Sequence, residues 1–328
     1  MKVLLPLAVV AGLFLTALLA ATSAPWVFGV GLPYLAIAVF VVGMIVRVLA
    51  WARVPVPFRI PTTAGQQKSL PWMKRNRLDN PHSTLGVVGR MALEVLFFRS
   101  LLRNTRTQMS NGRLVYGTSL TLWAAALAFH WSMLIILVEH LRLFTQPVPA
   151  FVTFVQNVDG FLQVGLPVFE VFPILFLLAL AYLLYRRLAN PQVRYISLLS
   201  DYFPLFLLLG IGLTGFWMRH LSRTDVRGVK ELAMGLAHFA PVVPEGISSL
   251  FFAHLFLVSV LLAYFPFSKL VHAGGIFLSP TRNLANTNRA IRHINPWNYP
   301  VKVHTYEEYE DELREKMVAA GIPVEKEE

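Results

Sequence analysis

The sequence contains no cysteine. That absence removes iron–sulfur clusters held by this chain, thioether-linked haem, thiolate zinc and disulfides from the chemistry open to it. Any cluster on the same electron path therefore sits on another subunit. Charge is scarce as well: 14% of the 328 residues are charged against 55% hydrophobic, and the mean hydropathy is +0.56. This is the composition of a membrane protein. Acidic residues are few and clustered, nine of the eighteen lying between Glu307 and Glu328. A formal charge of +11 would suggest nucleic acid in a soluble protein. Here its distribution reads as a topology signal, and no nucleic-acid role is expected.

Long apolar runs are what the sequence does have. Residues 2 to 24 read as Lys2, an apolar run and A-T-S-A, the pattern of a membrane helix or, alternatively, of a signal peptide cleaved after Ala24. A second run, Val27 to Val46, follows at once. Further apolar segments lie at about Val115 to Phe144, Phe161 to Tyr185, Ile196 to Met218 and Ser248 to Val271. The expected fold is an all-α integral membrane protein with six transmembrane helices, four or five of them forming a bundle. Its parts are two N-terminal helices (1–46), a basic loop (47–114), a four-helix membrane region (115–272) and a C-terminal tail (273–328).

Residues 47 to 113 carry twelve Lys or Arg against only Asp79 and Glu94. The positive-inside rule makes this loop cytoplasmic, and six spans then put 24 of the 29 Lys and Arg on the inner side. Within the loop, Pro55 to Pro81 is rich in proline, glycine and glutamine and should be irregular. Thr84 to Arg103 has apolar residues at helical spacing and is expected along the inner membrane surface. In the tail, Thr305 followed by Glu308 is a capping box, so Tyr306 to Ala320 reads as a helix.

Four histidines stand out. His130 and His140 lie ten residues apart in the third apolar segment, and His254 and His272 eighteen apart in or beside the last. Imidazole at membrane depth is costly unless paired, and haem iron takes two of them readily. On antiparallel helices, His130 with His272 and His140 with His254 give two haems b, one near each membrane surface. Two features fit this poorly. Ten residues rise about 15 Å and eighteen about 27 Å, a mismatch of about 12 Å, and His130 and His140 differ by about 80° in direction.

Other polar residues have weaker assignments. Glu139, Arg142, Gln156, Asp159 and Gln163 fall near the outer ends of the third and fourth segments and could line a quinone pocket. Glu170, placed about 15 Å along the fourth helix, is a candidate for proton movement. Arg142 and Arg219 at the outer end and Lys269 at the inner end are candidate partners for haem propionates. Gly210, Gly212, Thr214 and Gly215 admit either a macrocycle or a neighbouring helix. His82, His220, His238, His293 and His304 read as solvated or hydrogen-bonding histidines. No residue of the chain is assigned a catalytic role.

The histidine pattern resembles the haem-b gamma subunits of respiratory nitrate reductases, whose core has five helices. Two longer stretches are more specific: V-P-V-P-F-R-I-P-T-T-A-G-Q-Q-K-S-L-P-W from Val54 to Trp72, and N-P-W-N-Y-P-V-K-V-H-T-Y-E-E-Y-E-D-E from Asn295 to Glu312. These are similar to the cytochrome b subunits, DsrM, of the sulfite-reduction-associated DsrMKJOP complexes. That resemblance implies menaquinone as redox partner and a cytoplasmic DsrK-like iron–sulfur subunit with a heterodisulfide-reductase-like site. It also implies a multihaem cytochrome c, a periplasmic-side iron–sulfur subunit and a second membrane subunit. The function it implies is electron transfer between menaquinol and the iron–sulfur subunit in the inner membrane. The same cytochrome working as a quinone reductase, a haem-free anchor subunit and a transporter are the alternatives.

Overall fold

A computed structural model describes residues 1–54, 65–102, 106–161, 169–222, 224–279, 281–289 and 303–325. In chain order it contains α1 (Leu4–Ala20), α2 (Leu32–Ala52, entered through a π-turn at Val27–Gly31) and α3 (Thr84–Phe97). A hairpin of β1 (Arg106–Ser110) and β2 (Arg113–Gly117) leads into α4 (Leu120–His140). Next come α5 (Ala150–Phe161), α6 (Val171–Ala189), α7 (Pro191–Ile196), α8 (Leu199–His220) and α9 (Val226–Ala237). The chain continues with α10 (Ser249–Tyr264), the single turn α11 (His272–Gly275) and α12 (Tyr306–Ala319).

The chain is an all-α integral membrane protein in its architecture. Among the described residues, five helical stretches are long and apolar enough to cross a bilayer: Val27–Ala52, Leu120–Leu143, Val171–Ala189, Leu199–His220 and Ser249–Phe267. The expected sixth, α1, has 17 residues, about 25 Å of rise against a hydrocarbon core of about 30 Å. One face of it packs against the bundle nonetheless. Ala17 and Ala21 are fully buried against Phe28, Phe252 and Ala253, and Val10 lies against Leu207 and Leu257. Small side chains on α1 allow that approach, since packing rather than water exclusion drives association in lipid. Lipid-facing residues such as Leu35, Val42, Ile45 and Val46 on α2 stay exposed.

Helices α4, α6, α8 and α10 pack in series, α4 on α6, α6 on α8 and α8 on α10, while α10 also meets α1 and α2. Phe129, Met133 and Ile136 of α4 seat on Phe176, Leu180 and Leu208. The two histidine-bearing helices are thus the first and last of the series.

Two boundaries differ from the sequence expectation, and both matter for function. Among the described residues α6 starts at Val171, so Glu170 stands at its head rather than about 15 Å along the helix. Asp159 of α5 caps that end, its Oδ1 accepting from Phe172 N at 3.3 Å. The last segment does not run unbroken to Val271. Pro266 cannot continue an α-helical hydrogen-bond ladder. The chain tightens into a 3₁₀ turn at Phe265–Phe267, extends at Ser268 and re-enters a turn at Lys269–Val271 before His272. Gly43 of α2 accommodates this turn, since a β-carbon there would lie 2.8 Å from Pro266 Cβ. Arg47 Nε also donates to the Pro266 carbonyl at 3.1 Å.

The basic loop and the segment after α11 knit together. Buried Arg90 donates to the carbonyls of Asp79 and Thr281 at 2.9 and 3.3 Å, Arg99 pairs with Asp79, and Arg282 approaches Glu94 at 3.5 Å. Asn286 N donates to the Pro81 carbonyl at 2.7 Å. Helix α3 is present as expected, capped by Ser83, yet Arg90 on it faces this polar core and not a membrane surface. The hairpin was not expected. Its signal is Asn111–Gly112, both at positive φ, the turn that favours a two-residue hairpin. The capping box of Thr305 and Glu308 forms as expected. The two motif stretches from Val54 and from Asn295 fall partly outside the described residues.

Candidate functional site

His130 projects from the middle of α4 and His272 from the turn after the Pro266 break. Their ring centres are 6.0 Å apart with planes at 80°. Two nitrogens about 2 Å from one metal atom, on opposite sides of it, place imidazole centres about 6 Å apart. Each ring is oriented by its own backbone. His130 Nδ1 is 2.7 Å from the Ala126 carbonyl and His272 Nδ1 is 2.8 Å from the Lys269 carbonyl. A carbonyl only accepts, so Nδ1 carries the proton and Nε2 keeps its lone pair. That is the usual orientation of a metal-ligating histidine.

The other pair is prepared in the same way. His140 Nδ1 donates to the Ile136 carbonyl at 2.6 Å. His254 Nδ1 meets the Thr214 hydroxyl at 2.8 Å, and that hydroxyl lies 2.8 and 2.9 Å from the carbonyls of Gly210 and Ile211. With its one hydrogen directed to a carbonyl, Thr214 accepts from the imidazole. Gly215 leaves the imidazole its room: a β-carbon there would sit 3.3 Å from His254 Cε1. Gly212 serves helix packing, since its β-carbon would meet Phe176 and Leu177 on α6.

Among the described residues no three His, Asp or Glu side chains converge as a protein-only metal cage needs. A metal held by two imidazoles must bring its own remaining donors, which a haem macrocycle does. The residues present fit such a group. The mismatch of about 12 Å between the two histidine spacings disappears, because α10 ends at Tyr264, ten residues past His254, matching the ten from His130 to His140.

Sequence reasoning missed Phe98. It follows α3 at φ 49°, a costly backbone region for a bulky residue, and sets its ring edge-on to His130 at 4.8 Å. Trp123 and Trp131 of α4 fix this end of α3 by donating to the carbonyls of Phe97 and Leu96 at 2.8 and 3.0 Å. Nothing in the local sequence signals the contact.

At the far end of α4, near His140, most of the proposed pocket residues converge. Glu139 is 7% and Asp159 1% exposed, and both interact electrostatically with Glu170 and Arg219. Burial raises the Asp159 carboxyl above the usual aspartate value, against the opposing hydrogen bond from Phe172 N. Glu170 and Arg219 form a two-pronged ion pair. Gln156 stands on α5 one turn before Asp159, and Arg142 is exposed just past α4. Gln163 lies outside the described residues. Of the proposed propionate partners, Arg219 is engaged with Glu170, and Lys269 Nζ lies 2.6 Å from Asp201.

His220 corrects the sequence reading. It is not solvated: its side chain is 7% exposed, packed by Phe169 and Phe216 at 5.2 and 4.6 Å. The helical spacing Phe216, His220 was the available signal.

Two relatives cover most of the chain. It is 46% identical over 279 residues, 83% of each chain, to the Hdr-like menaquinol oxidoreductase cytochrome b-like subunit of Archaeoglobus fulgidus. It is 40% identical over 274 residues, 81% of each chain, to the protein of the same name from Archaeoglobus profundus. The family model for the nitrate reductase gamma subunit matches residues 87–293, a range that holds all four histidines and both ends of the series from α4 to α10. The chain belongs to the nitrate reductase gamma subunit family.

Proposed function

We propose that this chain is a dihaem cytochrome b carrying electrons between menaquinol and a cytoplasmic iron–sulfur subunit, as the DsrM subunits of dissimilatory sulfur metabolism do. The observation that carries the reading is the His130–His272 pair, 6.0 Å between ring centres, with both Nδ1 atoms tied to backbone carbonyls. The names of the two Archaeoglobus relatives support a cytochrome b working with menaquinol and Hdr-like partners.

Haem, when bound, supplies reversible one-electron chemistry at iron. His130 and His272 hold one ring at the basic-loop end, and His140 and His254 the other. The backbone carbonyls and Thr214 keep all four imidazoles neutral and aimed. Phe98 covers His130 from the loop side, which lowers local polarity. Glu139, Gln156, Asp159 and Glu170 bind the quinol beside His140, with Arg142 at the margin, and Gln163 is a further candidate on its sequence position alone. Arg142, Arg219 and Lys269 are the proposed propionate partners, Arg219 and Lys269 being shared with Glu170 and Asp201. The basic loop and the C-terminal tail face the cytoplasm, where the DsrK-like subunit docks. A multihaem cytochrome c, a periplasmic-side iron–sulfur subunit and a second membrane subunit complete the assembly.

The experiment is a reduced-minus-oxidised spectrum of the purified chain before and after a soluble menaquinol analogue. Reduction of at least part of the haem is expected. Haem that stays oxidised would overturn the quinol-oxidising direction, and protein without haem would overturn the reading altogether.

A further inference from the structure

Four buried side-chain atoms at the far end of α4 have no hydrogen-bond partner among the described residues: Glu139 Oε1, Gln156 Nε2, Asp159 Oδ2 and His220 Nε2. They come from three helices, α4, α5 and α8, and Glu139, Asp159 and His220 all interact electrostatically with Glu170. An unsatisfied buried polar atom costs about 1–3 kcal/mol, so four in one place mark a ligand's position. Arg219 is engaged by Glu170, and the four atoms combine a donor, the Gln156 amide nitrogen, with carboxyl oxygens and an imidazole nitrogen that can accept. A neutral ring bearing hydroxyls, each able to donate and to accept, matches such a mixed set.

We propose that His220 is the base that takes a proton from the bound quinol, with Glu170 stabilising the resulting imidazolium and Arg219 holding Glu170 in place. This rests on the reading of the chain as a quinol-oxidising cytochrome b. His220 Nε2 is 3.6 Å from Glu170 Oε2, too far for a hydrogen bond and close enough for charge stabilisation. The charged groups acting on His220 are Glu170 at the head of α6, Asp159 on α5 and Arg219 on its own helix. The two carboxylates favour a protonated ring and Arg219 opposes it. The quinol O–H bond breaks and its proton bonds to Nε2, while the electron would pass to the one-electron acceptor that a haem held by His140 and His254 would supply. Once that electron has moved on and the proton has passed to bulk water, the second hydroxyl repeats the step. The products are quinone, two electrons delivered and two protons released.

The test uses haem-loaded full-length chain with His220→Gln, which keeps size and hydrogen bonding but does not titrate, and separately Glu170→Gln. Haem reduction by the quinol analogue is followed by stopped flow across pH 5.5 to 8.5. Binding of a redox-inert naphthol is read by tryptophan fluorescence, independently of turnover. In His220→Gln the haem content is unchanged and naphthol affinity stays within about tenfold, the worth of one hydrogen bond. Its reduction rate falls about 100-fold and loses its rise with pH. In Glu170→Gln the acid limb of the profile moves to lower pH, because the imidazolium has lost its counter-charge. A His220→Gln protein with the parent's rate and pH profile overturns the inference, as does a Glu170→Gln profile that stays in place or loss of haem in His220→Gln. If the parent itself is not reduced by quinol, the function reading fails first. A parent that is reduced, beside a variant that matches it, fails this inference alone.

Discussion

His272 reaches His130, ring centre to ring centre at 6.0 Å, because α10 stops eight residues before it. An unbroken helix would carry His272 about 12 Å beyond Tyr264 along the axis, past the level of its partner. The turn at Pro266 folds that length sideways. The geometry of the pair is therefore set by a helix terminator as much as by the histidines.

His130→Ala or His272→Ala should each lose one haem while the other remains and is still reduced by quinol. His140→Ala or His254→Ala should lose the other haem, and direct reduction by quinol with it. Haem content and low-temperature difference spectra of the four variants check this. Two intact haems in any of them would break the ligand assignment.

Gly43→Ala tests the turn without touching a histidine. The added β-carbon would sit 2.8 Å from Pro266 Cβ, so the turn, the helix or both must shift. Overpacking of this kind costs about 1–3 kcal/mol. The expected result is a lower thermal midpoint together with selective weakening of the haem held by His130 and His272. An unaltered haem at that end would mean that the turn is not what positions His272.

Thr214→Val removes the hydroxyl that accepts from His254 Nδ1 at nearly constant volume. Loss of such an orienting partner typically weakens metal binding about 10–100-fold. Redox and haem-retention titrations should report the change at the haem of His140 and His254 only. Equal effects on both haems would contradict the local role assigned to Thr214.

Asp159 gives a pH signature. Burial raises its pKa in the folded chain above the unfolded value of about 3.9, so the folded state holds the proton more tightly. Stability from this group is full below the unfolded pKa and is lost as pH rises through the raised folded one. Asp159→Asn should therefore raise the thermal midpoint near pH 7.5 and change it little near pH 3.5. A variant less stable than the parent at pH 7.5 would show that the Phe172 N contact outweighs the buried charge.

The membrane class and the five long spans were legible because apolar runs of that length have few other uses. His130, His140, His254 and His272 stood out because polar groups are rare in such runs. The helix breaks before Val171 and at Pro266 were harder to read. Hydropathy runs straight through both, and only the prolines mark them. Glu170 was misplaced along its helix for that reason. His220 looked like an interfacial residue because its burial depends on Phe169, which lies just before α6 and far from it in sequence. Phe98 over His130 depends on where α3 docks, a long-range fact that no local pattern carries.

The central claim is that two imidazole pairs in this one chain each hold a haem. The most direct test is the haem-to-protein ratio of the purified full-length chain by pyridine haemochrome. The account predicts two haems b per chain, and a ratio of zero or of one would contradict it.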